Sequence, residues 1–122
     1  VRYRPKWAWR GKSPIRNAEY EDSREPIALT LKNTRVLITH GSNSCVDALV
    51  MGVPSIILGT GVTLAISSRS LDDIDAPNFA SDAERLQVLA NLAWSQFTIR
   101  EMASGLAWRH LRGMLDESPV LR

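Results

Sequence analysis

The stretch Arg35-Val36-Leu37-Ile38-Thr39-His40-Gly41-Ser42-Asn43-Ser44-Cys45-Val46-Asp47-Ala48-Leu49-Val50-Met51-Gly52-Val53-Pro54-Ser55-Ile56-Ile57-Leu58 carries the information that decides the fold. From Arg35 to Thr39 the run is β-branched and aliphatic, does not alternate, and leaves through a polar residue, which predicts a buried parallel strand. His40 to Ser44 are small, turn-forming or capping residues, and Ser44 with Asp47 three positions on has capping-box spacing. A helix is therefore expected from here. Val46, Leu49 and Val50 stand at i, i+3 and i+4 on one face, and Gly52 then Pro54 stop the helix where a left-handed cap and a breaker belong. Ser55 to Leu58 reads as the next strand, so the whole is a βαβ unit with a right-handed crossover.

Toward the C-terminus, Gly59-Thr60-Gly61 opens an irregular region reaching Pro77. Ser81-x-x-Glu84 is a second capping box, followed by Leu86, Leu89, Ala90 and Ala93 as a helical face that extends to about Gln96. Thr98-x-x-Glu101 is a third box, and the last helix carries Leu106, Trp108 and Leu111, is interrupted by Gly105 and Gly113, and ends before Pro119. Toward the N-terminus, Pro26 and the apolar Ile27, Leu29 and Leu31 predict a helix of about two turns ending near Asn33. Residues 5–24 follow neither period and read as a long loop.

That N-terminal arm has an uneven charge. Arg2, Arg4, Lys6, Arg10, Lys12 and Arg16 come before any acid, with Tyr3, Trp7 and Trp9 between them, and Glu19, Glu21, Asp22 and Glu25 then reverse the sign. Over all 122 residues the net charge is only +2, too small to argue globally for nucleic acid or an anionic membrane. Hydrophobic residues at 44% and charged residues at 23% fit a folded globular chain and exclude a disordered or collagenous one. The length suits one domain and is too short for a two-lobed enzyme. The expected organisation is a single domain over residues 1–122, with a basic strand and loop over 1–24, a βαβ core over 25–80 and a helical tail over 81–118. The chain opens without Met on strand-like Val1-Arg2-Tyr3, so it reads as a piece of a longer polypeptide. Cys45, the only cysteine, excludes an intrachain disulfide, and a cytoplasmic location is expected. No apolar run approaches the length of a membrane span.

The candidate site is His40-Gly41-Ser42-Asn43-Ser44, at the carboxyl end of one strand and the amino end of a helix, the edge where open α/β sheets bind ligands. Unpaired amides and the helix dipole favour an anion there, Gly41 lets the backbone approach closely, and Ser42 and Ser44 offer hydroxyls. The same small residues also begin ordinary helices. His40 has the chemistry to donate to a phosphate, and also the position of a structural strand-end histidine. His110, remote in sequence, is a weaker candidate. The two histidines lack metal-ligand spacing, and Asp72, Asp73 and Asp75 lack the glycine and terminal glutamate of a calcium loop, so no metal and no cofactor are expected. Cys45, one residue into the helix, reads as a small buried side chain.

The segment from Val36 to Gly59 resembles the strand, Ser-rich loop, helix and Gly-x-Pro strand element of GT-B glycosyltransferases, and most closely the capsular polysaccharide biosynthesis proteins. Tyr3-Arg4-Pro5-Lys6 stands where their Arg-Pro-His-Pro-like motif stands. The resemblance implies an α/β fold: a Rossmann-like three-layer lobe, half of a GT-B fold, with a small parallel sheet of three or more strands and a helical C-terminal tail. It implies the nucleotide-sugar-binding half of a two-lobed transferase, whose acceptor lobe would precede Val1 and supply the catalytic base. By motif position Ser42, Asn43 and Ser44 would contact donor phosphates, Arg4 and Lys6 would supply positive charge, and Asp47 would take the place of the helix glutamate that faces ribose or base. Lys6 replaces the motif histidine, and Asp47 is one methylene shorter than glutamate. Glycosyl transfer of this type stabilises a nucleotide leaving group with a helix terminus and cations.

Three other functions fit the same residues. A nucleotide-sugar 2-epimerase uses a similar lobe. A nucleic-acid-binding module would use the basic, Trp-bearing arm from Arg2 to Arg16 for stacking and phosphate contacts. A docking lobe would use Trp94, Phe97 and Trp108 of the tail against a partner, unless these aromatics cover the sheet.

Overall fold

The computed structural model describes residues 1–5, 16–21 and 24–116. The chain is mixed α/β and forms two compact units, Val1–Leu89 and Ala90–Arg122. In the first, β1 (Arg2–Tyr3) pairs in parallel with β2 (Glu19–Tyr20), then come α1 (Ile27–Leu31), β3 (Leu37–Thr39), α2 (Ser44–Met51) and β4 (Ser55–Ile57). Two short 3₁₀ turns follow, Leu64–Ile66 and Leu71–Ile74, and α3 (Asp82–Trp94) crosses the boundary. The second unit continues with α4 (Ile99–Ala103) and α5 (Leu106–Asp116).

The βαβ unit forms with the expected polarity. β3 and β4 run parallel, with Leu37 opposite Ser55, Ile38 opposite Ile56 and Thr39 opposite Ile57. On the far side of β4 the chain returns after the first 3₁₀ turn: Ser68 N–H donates to the Ser55 carbonyl at 3.0 Å, and Ile57 N–H donates to the Ser68 carbonyl at 2.9 Å. β4 is thus bonded on both edges and is fully buried. The core gathers over it, from Leu31, Cys45, Ala48, Leu49, Ile56 and Ile57.

The expected single sheet of three or more strands is not what the described residues form. They make two separate two-stranded parallel sheets, because β1 and β2 are two residues each and pair only with one another. β3, expected to be buried, leaves Ile38 42% exposed although it stands opposite the buried Ile56. Residues 5–24, expected as an unbroken loop, contain β2. The sign reversal in the sequence has a structural counterpart: Arg2 lies 3.7 Å from Glu19, and Arg4 3.7 Å from Glu21.

Both amphipathic faces sit about one residue from where periodicity put them. In α2 the buried residues are Cys45, Ala48 and Leu49, whereas Val50 is 59% exposed. Small Cys45 and Ala48 let a short helix lie close on the strands, and a bulkier Val46–Val50 face would hold it away. In α3 the half-buried stripe is Arg85, Val88, Leu89 and Leu92, and Leu86 is 66% exposed.

The helix ends divide between agreement and correction. Gly52 adopts the left-handed conformation at φ 70°, with Gly52 N–H donating to Leu49 O and Val53 N–H to Ala48 O, the paired bonds of a Schellman cap. Ser81 and Glu84 bond reciprocally, as do Thr98 and Glu101. Gly105, at φ 76°, separates α4 from α5, whereas Gly113 lies inside α5. Ser44, however, is not a cap. Tight turns carry the coil back to Ser42 (Cys45 N–H to Ser42 O, 3.2 Å; Val46 N–H to Asn43 O, 2.9 Å), so Asn43 is the N-cap, in helical conformation and without a side-chain bond.

Candidate functional site at the β3 to α2 turn

The turn from His40 to Ser44 lies at the carboxyl end of β3, beside the Gly59–Gly61 loop at the carboxyl end of β4. Their closeness is measurable at the glycines. A Cβ on Gly59 would fall 2.3 Å from the His40 carbonyl oxygen and 2.7 Å from its ring Cε1, and one on Gly41 would fall 3.2 Å from the Thr60 carbonyl. Two glycines just beyond adjacent parallel strands thus let the two loops touch through their backbones. Gly59 and Thr60 were not among the candidate site residues; the signal for them is the repetition of a glycine just beyond each strand.

Within the turn, Ser42 Oγ accepts from the Ser44 N–H at 3.3 Å and from the Ser44 hydroxyl at 3.0 Å. That leaves the Ser42 hydroxyl proton to donate outward. The amides of Ser44, Cys45 and Val46 are taken up locally. The N–H groups of Gly41, Ser42 and Asn43 donate to no acceptor among the described residues. The donors available to an anion are therefore three consecutive backbone amides just before the helix and one hydroxyl, at the positive end of α2. Ser42 and Ser44 are half-buried, and His40, Gly41, Asn43 and Asp47 are exposed. Asp47 sits in the first turn of α2.

Arg4 is committed elsewhere. Its guanidinium bonds Thr30 Oγ1 at 3.2 Å and the Glu25 carbonyl, and pairs with Glu21. It ties β1 to α1. Lys6, the other expected cation, lies outside the described residues, as do Trp7 and Trp9. His110 is remote from the turn in sequence, in the second unit, with its ring edge-on to Trp94 at 5.6 Å and Phe97 at 5.5 Å. Among the described residues no three His, Cys, Asp or Glu side chains group as metal ligands.

A cavity of about 20 Å³ lies along the buried side of α2, lined by Cys45, Leu49, Gly52, Thr63, Phe79 and Arg85. It has room for a water molecule and none for a nucleotide. Arg85 Nε is buried there without a hydrogen-bond partner, while its Nη1 pairs with Asp82 at 3.3 Å.

Among the described residues two carboxyls have perturbed acidity, both at helix caps. The Ser81 hydroxyl and then the Ser81 backbone N–H hold Glu84 below its ordinary value, and the Thr98 backbone N–H and then its hydroxyl do the same for Glu101. No helix among the described residues is long and apolar enough to cross a membrane. No family model matches the chain, and neither does any curated protein or solved structure.

Proposed function

We propose that the chain is the nucleotide-sugar donor-binding domain of a cytoplasmic, GT-B glycosyltransferase-like protein of polysaccharide or glycan synthesis. On this reading the first unit belongs to a Rossmann-like lobe that works with a separate acceptor lobe. The observation that supports it most is the set of uncommitted N–H groups on Gly41, Ser42 and Asn43 beside the Ser42 hydroxyl. They lie at the end of a parallel βαβ unit, where a diphosphate is the natural guest.

In the transfer step, breaking the sugar's anomeric C–O bond leaves the electron pair on the nucleotide phosphate, and fixed amide dipoles facing that oxygen stabilise the growing charge. His40 and Lys6 add donors on this reading, and Asp47 faces ribose or base. The acceptor's proton goes to a base on the other lobe. The pairing of Arg2 and Arg4 with Glu19 and Glu21 weakens the competing nucleic-acid reading, because it neutralises part of the basic arm.

Calorimetric titration with UDP, CMP, GDP and ADP tests the proposal. One nucleotide is expected to bind at millimolar affinity or better, with binding lost in Ser42→Ala and Ser44→Ala and weakened in Lys6→Ala. Silence with all four nucleotides, or binding that survives the serine substitutions, overturns it.

A further inference from the structure

β4 is bonded along both edges, to β3 on one side and to Ser68 on the other, so this sheet can be extended only beyond β3. The phase of the ladder shows what β3 offers there. Leu37 N–H donates to the Pro54 carbonyl and Thr39 O accepts from Leu58 N–H, both at 2.9 Å, so the backbones of Leu37 and Thr39 face β4. Backbone direction alternates along a strand, and the N–H and C=O of Ile38 therefore point away from β4, where neither bonds to any described residue. The Ile38 side chain is 42% exposed beside them. Edge strands that stay single are commonly guarded by lysine, proline or a bulge, and Val36-Leu37-Ile38-Thr39 carries none of these.

We propose that the outer edge of β3 pairs with β3 of a second copy of this chain, antiparallel about a two-fold axis at Ile38. One donor and one acceptor on a single residue are self-complementary. In an antiparallel pair two residues directly opposite can exchange both N–H···O bonds, and the two-fold makes Ile38 its own opposite.

The side chains that this register brings together favour an identical strand as the occupant. Leu37 falls opposite Thr39 of the second copy, Val36 opposite His40, and Arg35 opposite Gly41. Like charges directly opposite would oppose pairing, and none occur: Arg35 meets a glycine and not its own copy, and its guanidinium is held by the Asp75 carbonyl at 2.9 Å. Ile38 against Ile38 sets two β-branched apolar side chains at the centre. The product is one four-stranded sheet in which two parallel β3–β4 pairs meet at an antiparallel seam, and it takes β3 and β4 beyond the marginal stability of two strands alone. This association stands apart from nucleotide binding, and its failure leaves the calorimetric test untouched.

The test is sedimentation velocity of the full chain at rising concentration, with amide hydrogen exchange read at Ile38. A reversible dimer is expected. The Ile38 amide should exchange freely in the monomer and become protected as the dimer forms, whereas the Leu37 amide, bonded to Pro54, stays protected throughout. Ile38→Lys sets two like charges opposite each other and should weaken association about tenfold, with far-ultraviolet dichroism verifying the fold. Ile38→Cys should form an intermolecular disulfide through position 38 on mild oxidation, because opposite residues of a bonded antiparallel pair stand about 5.5 Å apart at Cα, within disulfide range. The wild-type chain, whose one thiol is buried, should not cross-link. This second variant keeps the test decisive if the lysine variant does not fold. A chain that stays monomeric at every concentration overturns the proposal. So does a dimer that survives Ile38→Lys, or one that fails to cross-link through position 38, since either places the interface elsewhere. An Ile38 amide already protected in the monomer also overturns it and makes another segment of the chain the occupant.

Discussion

Gly59→Ala probes the contact on which the candidate site rests. A Cβ there would lie 2.3 Å from the His40 carbonyl oxygen, where ordinary contact begins at 3.4 Å, so something must yield by about 1 Å. The obstructing atom belongs to the backbone, and no rotamer moves it. Gly59 is also not among the positive-φ glycines, which are Gly52 and Gly105, so alanine is not penalised there by φ. Parting the strands' ends strains the bond from Leu58 N–H to Thr39 O, now 2.9 Å. Overpacking of this kind together with a weakened hydrogen bond costs about 3 kcal/mol. For a chain of this length that lowers Tm by about 12 °C, at roughly 4 °C per kcal/mol. Thermal and urea unfolding followed by circular dichroism would measure it. The double variant His40→Ala, Gly59→Ala removes the ring contacts at 2.7 and 2.8 Å but not the carbonyl, so it should recover less than half of the loss. Gly113→Ala, whose Cβ meets nothing within 4 Å inside α5, should instead stabilise by ~0.5–1 kcal/mol. A Gly59→Ala protein melting within about 2 °C of wild type would refute the close approach of the two loops.

The remaining predictions concern the caps and Arg4. Ser81→Ala should cost ~1 kcal/mol in chemical denaturation, by freeing the first-turn amide of Glu84. Glu84 and Glu101 are both held below an ordinary value of 4.5, so their stabilisation is complete above that pH and drains away as pH falls through the lower folded values. Tm measured from pH 7 to pH 3 should therefore fall on the acid side, and Glu84→Gln with Glu101→Gln should flatten that fall; an unchanged slope would contradict the assignment. Arg4→Ala should lose ~1–2 kcal/mol through its bonds to Thr30 and Glu25, and Arg4→Lys should restore less than half of that because one ammonium cannot reach both. If nucleotide affinity fell in Arg4→Ala with no change in Tm, Arg4 would be a donor ligand and not a tie between β1 and α1.

What the sequence determined by itself was the local grammar. The β3, α2, β4 order, the Gly52 stop, and the boxes at Ser81 and Thr98 are encoded by neighbours three or four positions apart, where backbone hydrogen bonding is nearly all that matters. The buried, unpaired Cys45 was legible for the same reason, on a short helix with few places to hide a small side chain. Tertiary structure decided the rest. Which stripe of α2 turns inward depends on how closely the helix lies on its strands, and small Cys45 and Ala48 settled that one residue away from the periodicity. The β1–β2 pair joins residues far apart in sequence through backbone bonds from Glu19 N–H to Val1 O and from Glu21 N–H to Tyr3 O, with the opposite charges that read in sequence only as a reversal of sign lying alongside. The place of Ser44 depended on how far the coil could wind back toward Ser42, and so did the identity of the uncommitted amides. Arg4 was drawn to α1 and Glu21 because a guanidinium goes where several acceptors converge, and that convergence exists only once the chain has folded.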